Sequence, residues 1–309
     1  MQVKYIARRL VELIPVLIIM SIMIFLIMYL LPGDPVMLML EGKSITSLEQ
    51  VQKIREEMGL NDPIYVQYAR FLAGAIRGDF GESARFRRPV TQVILEQFPA
   101  TLQLSIAAMG FALVTGLGIG IIAAIRRYTW VDTVGMFIAL LGVSTPIFWS
   151  GLMAIFLFAF RLGWLPSTGT GGWKGLILPA FTLGFAATGT IARLTRSCLI
   201  EVMSQDYIRT ARAKGLAERA VIYRHALKNA LIPVVTIVGL QFGGMLSGAV
   251  ITETVFSRPG IGRLMVGAIM WKDFKLAQGA ILLTAISFVL VNLLVDVSYA
   301  WLDPRIRYE

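Results

Sequence analysis

An all-α membrane protein with six spanning helices is the fold class this sequence predicts, on three observations. Hydrophobic residues make up 56% and charged residues 16% of the 309-residue chain, where a globular domain is about half apolar and about a quarter charged. The apolar residues gather into runs of about 20, the length a helix needs to cross about 30 Å of hydrocarbon. Lys and Arg are distributed unevenly over the segments between those runs. The net charge of +10 is therefore read as membrane orientation, and no nucleic-acid partner is expected.

The first element is the run Leu10–Leu31, preceded by Lys4, Arg8 and Arg9. It is too long for a signal-peptide core and no small-residue cleavage site follows, so it reads as a retained first span. The remaining expected spans are Ala100–Ile125, Thr133–Phe160, Leu176–Ala192, Leu231–Val255 and Ala277–Trp301. Ser144, Thr145 and Pro146 predict a kink or tilt in the third. With both termini cytoplasmic, the inner segments hold 15 Lys and Arg and the two short outer loops hold 6. That is the asymmetry expected of a multi-pass membrane protein with both termini inside. The expected organisation is residues 1–31 (N-terminus and first span), 32–98 (an outer helical loop) and 99–309 (a five-helix core containing a cytoplasmic loop, 193–230).

Within the outer loop, Ser47-x-x-Gln50 predicts a helix closed by Gly59. Asp62–Pro63 predicts a second helix ended by Gly78, and Arg88–Pro89 introduces a third. This cap is either a landing surface for a partner or a plug over the helix ends.

The inner segment Gln205–Pro233 is basic and helix-prone. Asp206 can cap a helix ended by Gly215, with Ile208, Ala211 and Gly215 on one small, smooth face. A second helix is expected over Glu218–Leu231. The pair could be a solvated loop, or a surface built to dock on another protein.

Motifs for chemistry fail one by one. Gly42–Lys43–Ser44 lacks the upstream glycine of a P-loop, since Met37 stands there, and Asp79–Phe80–Gly81 has no kinase context. A single cysteine, Cys198, excludes an internal disulfide and a thiolate cluster, and a single histidine, His225, excludes a multi-histidine metal site. No carboxylate pair or nucleophile–base pair has a catalytic spacing. The chain is not expected to be an enzyme or to bind a cofactor. Gly116/Gly120, Gly239/Gly243 and Gly244/Gly248 predict close helix packing, within the subunit or against another. Gln241, Glu253 and Asp296 are the intramembrane polar residues that could line a path or gate. Structural pairing is the alternative for each, and the preferred one for Asp296.

The stretches Y-I-R-T-A-R-A-K-G-L at 207–216 and H-A-L-K-N-A-L-I-P at 225–233 resemble the cytoplasmic signature loop of ATP-binding-cassette importer permeases, in the dipeptide, oligopeptide, glutathione and nickel branch. L-P-G-D-P at 31–35, G-D-F-G-x-S at 78–83, V-F-S-R-P-G-I-G-R-L at 255–264 and D-P-R-I-R-Y at 303–308 extend the likeness over the whole length. One departure is that Arg209, Thr210 and Ala211 stand where the broader signature has Glu-Ala-Ala. The resemblance implies a type I importer permease forming half of a pore with a second, homologous permease. It also implies two cytoplasmic ATPase subunits that use ATP and Mg, and an external solute-binding protein. Asp206, Tyr207, Arg209, Thr210, Ala211, Arg212, Lys214, Gly215 and Leu216 would form the contact with an ATPase. Peptide import is the expected function, with glutathione next and nickel as an alternative. The reading from another class is a proton-coupled secondary transporter working through Glu253 and Asp296.

Overall fold

The computed structural model describes the backbone of residues 2–30, 48–57 and 59–302, and the side chains of 11–30, 51–53, 55–56 and 59–295. Ser47, the L-P-G-D-P and D-P-R-I-R-Y stretches and the side chain of Asp296 fall outside those limits. The elements are α1 (Gln2–Leu30), α2 (Leu48–Glu57), α3 (Ile64–Ile76), α4 (Val90–Ile125), α5 (Trp130–Ser144) and α6 (Ile147–Arg161). They continue with α7 (Trp173–Met203), α8 (Asp206–Ala213), α9 (Glu218–Val255), α10 (Ile261–Met270) and α11 (Phe274–Leu302). Among the described residues the only β-type pairing is one bridge, Glu82 to Pro89. Among the described residues five helices are long and apolar enough to span a membrane, six if α5 and α6 count as one.

Four differences from the sequence reading have local causes. The third loop helix and the second span are a single 36-residue helix, α4, which carries Pro99 without breaking. The third span is two helices bent by 110°; Pro146 is the N-cap of the second and Thr145 leaves the helical region, so the expected kink is a full break. The helix expected over Glu218–Leu231 does not stop, because the chain passes through a π-helical stretch, Val221–Ala226, straight into the fifth span. And α10 was not anticipated: its ten residues are too few to register as a span.

The chain divides into two compact units. The first comprises Leu102–Arg258 with Phe288–Glu309 and Met1–Ile6. Its central member is α7, whose Gly184, Ala187, Thr188, Gly189 and Ala192 are all buried. Small residues let backbones approach, which is what holds helices together in lipid, where apolar burial gives no net drive. A Cβ added at Gly120 would sit 2.6 Å from the Ala192 carbonyl oxygen and 2.7 Å from Thr195 Cβ, and one at Gly116 would sit 2.9 Å from Ile191. Gly142 and Gly189 seat α5 on α7 in the same way. Thr115 and Thr188 pair their hydroxyls at 2.9 Å across the α4–α7 contact, so a polar group inside the bundle is satisfied.

The second unit comprises Ala7–Thr101 and Pro259–Ser287. Its core joins Met28, Val90, Ile94, Ile261, Leu264, Leu276 and Ala280. Asp273, 2% exposed, is the N-cap of α11: one oxygen accepts from Leu276 N at 3.2 Å, the other from Ser83 Oγ at 2.5 Å and Arg85 N at 3.0 Å. This explains the G-D-F-G-x-S stretch. Gly78 and Gly81 take positive φ, Asp79 accepts from Gly81 N, and Ser83 is delivered to the cap. In the same unit α3 lies on α1, with Tyr68 and Ser21 sharing a 2.9 Å hydrogen bond and the Phe25 ring 5.6 Å from that of Tyr68.

Candidate functional site

The segment from Gln205 to Pro233 belongs to the first unit. Gln205 is the N-cap of α8 in extended backbone, which puts Asp206 in the first turn, where a carboxylate complements the helix dipole. Asp206 also pairs with Arg209 at 3.3 Å, an exposed i,i+3 contact of little energetic weight. The helix ends at Ala213, and Gly215 follows at φ +75° with nothing within 4 Å of its would-be Cβ. Only the left-handed backbone calls for glycine there.

The small face of α8 points inward, not towards a partner. Ile208 is 0% and Ala211 7% exposed, both packed with Leu199, Val221, Ala226 and Ala230. The resemblance put Ala211 in the ATPase contact; in the structure Ala211 and Ile208 seat α8 against α7 and α9 of their own chain. The exposed face instead carries Asp206, Tyr207, Arg209, Thr210, Arg212, Lys214, Gly215 and Leu216. Of its cations, Arg212 is already engaged, with a bidentate contact to Glu218 at 2.7 and 3.0 Å. The bonded Glu218 carboxylate holds the guanidinium above its ordinary range. Lys214 makes no ion pair among the described residues. Tyr207 Oη accepts from Asn229 Nδ2 at 2.9 Å, tying the start of α8 to α9.

The π-helical stretch sets the register of that attachment. Ile222, Ala226, Ala230 and Val234 are all buried and recur every fourth residue, so one stripe runs unbroken from the loop into the span. His225 is half-buried within it. The result is an eight-residue helix held on one side by apolar packing and on the other by Tyr207–Asn229 and Arg212–Glu218. It is a rigid, exposed, mixed-polarity ridge at the junction of two long helices. Such a ridge can transmit a push.

The other candidates separate. Gln241 is half-buried on α9. Glu253 is 0% exposed near the far end of α9, and the side chain of Asp296 is outside the described residues. Glu253 has a charged neighbour that the sequence reading counted only as a loop charge, Arg258. Its Nη1 donates to Gly169 O at 2.8 Å and its Nη2 to Gln103 Oε1 at 2.9 Å, while its backbone N donates to Glu253 O at 2.8 Å. Burial pushes the Arg258 guanidinium below its ordinary value, partly offset by the Glu253 charge. The arrangement locks the 165–172 segment over the end of α9. A second pair was also missed: Arg196 of α7 grips Asp132 of α5 through Nε–Oδ1 at 2.6 Å and Nη2–Oδ2 at 2.7 Å. The sequence offered no signal for it, because Arg196 lies beyond the expected span Leu176–Ala192 and only the longer helix, which runs on to Met203, sets it beside Asp132. Among the described residues no three His, Cys, Asp or Glu side chains gather as a metal site.

With this geometry in view, the likenesses to known proteins are informative. The permease protein of the glutathione transport system, GsiC, of Escherichia coli strain K12 is 44% identical over 306 residues, 99% of each chain. The proteins of the same description from Shigella dysenteriae and Salmonella paratyphi A match equally. Among solved structures, the inward-facing MetNI methionine transporter superposes with a TM-score of 0.60 at 17% identity, over 69% of this chain and 97% of that one. An amino acid transporter of the ATP-binding-cassette type superposes with a TM-score of 0.56 at 14% identity, over 68% and 94%. These show a shared fold, that of type I importer permeases. Residues 116–308 match the family described as the binding-protein-dependent transport system inner membrane component, and residues 2–105 match its N-terminal region. This chain therefore belongs to that family: it is a multi-pass inner-membrane permease component of an ATP-binding-cassette importer of the peptide and glutathione branch.

Proposed function

We propose that this chain forms half of the pore of an importer for glutathione and short peptides, with a second, homologous permease as the other half. A solute-binding protein delivers the cargo, and two ATPase subunits that bind ATP and Mg dock on the exposed side of α8; the chain itself binds no cofactor. The observation that carries this reading is the exposed Tyr207–Leu216 ridge, buttressed from behind by its own subunit. A helix fixed on α7 and α9 passes a displacement on to both, whereas a floppy loop would absorb it. The 44% identity to glutathione permeases supports a tripeptide cargo.

The test is reconstitution of the full transporter in vesicles with radiolabelled glutathione. Uptake is expected to need ATP, to be absent for this chain alone, and to fall at least about tenfold, together with cargo-stimulated ATP hydrolysis, in Lys214→Glu and Gly215→Trp. Neither side chain meets the chain's own core, and Gly215→Ala, which carries the same left-handed backbone strain as Gly215→Trp without the bulk, is expected to keep uptake and so separates strain from a blocked contact. Normal uptake in both, or uptake by the chain alone on a proton gradient, would sink the proposal.

A further inference from the structure

The second unit holds a cavity of about 840 Å³, and none of its lining residues belongs to the α8 ridge on which the proposed function rests. Its floor is made by Phe25, Met28 and Tyr29 of α1 with Phe71 of α3. The first three lie in the last two turns of a helix long and apolar enough to span the membrane. Its rim is basic. Arg77 follows the end of α3, and Lys275, in the first turn of α11, runs its stem over Gly81, where a Cβ would meet Lys275 Nζ at 3.2 Å. The other charges on or beside the rim are accounted for. Arg70 pairs with Asp62 at 2.8 Å, Asp79 accepts from Gly81 N at 2.8 Å, and Arg55 has an interaction of its own. Arg77 and Lys275 make no ion pair among the described residues. An open cavity with an aromatic floor at membrane depth and two uncompensated cations at its lip is complementary to a molecule with the same two-part character.

We infer that this cavity is a binding site for an anionic phospholipid, its phosphodiester held by Arg77 and Lys275 and an acyl chain laid on Phe25, Met28 and Phe71. Each lysine or arginine near an anionic headgroup contributes modestly, and the apolar floor adds what a soluble phosphate could not recover. A free phosphate would have no use for the floor. An acidic cargo peptide would have no use for its position along a span.

The test is native mass spectrometry of the purified full-length chain in detergent. It is titrated with phosphatidylglycerol, with phosphatidylcholine of the same chains, with soluble glycerophosphoglycerol and with glutathione. Phosphatidylglycerol is expected to saturate one site, at least about tenfold more tightly than phosphatidylcholine. That preference should vanish in Arg77→Gln/Lys275→Gln, weaken in Arg77→Gln alone, and survive in Lys272→Gln, a charge change outside the cavity. Arg77 is exposed and its single variant keeps the core intact, so loss of preference there is not loss of fold. Equal binding of the two lipids, or an unchanged preference in the double variant, overturns the site. Glycerophosphoglycerol binding as tightly as the lipid reassigns it to free phosphate. Displacement of the lipid by glutathione reassigns it to cargo.

Discussion

Asp132 is 5% exposed and Arg196 is its bidentate partner, and the pair joins the start of α5 to α7. Tyr128 N adds a third bond to the carboxylate at 3.1 Å. Removing one member of a largely buried pair strands the other, at about 3 kcal/mol; removing both strands no charge and leaves only the Tyr128 N–H to find water. Asp132→Ala should therefore lower the thermal unfolding midpoint of the purified chain by several degrees. Asp132→Ala/Arg196→Leu should recover most of that loss, a coupling read from the double-mutant cycle. Additive losses would show that the pair is not the source of the stability. Gly215 shows the other side of residue-scale reasoning. Its sequence context marked it as a helix stop, and its φ of +75° agrees. The space around it is open, so a side chain there costs the chain backbone strain alone, and its bulk is met only by whatever approaches from outside.

Helix faces were legible in the sequence only as far as periodicity reaches. The Ile208/Ala211 stripe announced that α8 packs on something, but a stripe of small residues does not name the occupant, and it proved to be Leu199 and Val221 of the same chain. Gly116/Gly120 announced a close contact and found one on α7. Gly244, by contrast, meets nothing within 4 Å, although it shares the spacing. The break at Thr145–Pro146 was readable as a kink because proline disfavours an α conformation in the preceding residue; its 110° was not, since the angle depends on what α6 packs against. The π-helical stretch left no signal in composition, because it is a register correction imposed by two packed ends. A contrast on α4 checks this packing. Gly120→Leu must overlap Ala192 and Thr195 and should cost upward of about 2 kcal/mol, collapsing the yield of monodisperse protein in fluorescence-detected size exclusion. Gly118→Leu, two residues away with nothing within 4 Å, should leave the yield unchanged. Equal sensitivity of the two would mean that α4 is not seated on α7 through this face.

At the scale of the whole molecule, the count of basic residues predicts both termini in the cytoplasm, and the first unit allows that expectation to be tested independently. The 31 residues of α7 reach about 46 Å, more than the bilayer's hydrocarbon thickness, so the segments flanking α7 are expected on opposite sides. Before it lies Ser167, exposed in the segment that Arg258 locks in place; after it lies Lys214, exposed on the ridge of α8. The one native thiol, Cys198, is within α7 and is replaced by serine to give a silent background. In intact cells an impermeant maleimide is expected to label Ser167→Cys and not Lys214→Cys, and after lysis to label both. Because the two sites flank one helix of known span, the result does not depend on how many other helices cross. Labelling of Lys214→Cys in intact cells would put the ridge outside, where no cytoplasmic ATPase could reach it. The assignment of α8 as the energy input would then fall even if the fold stood.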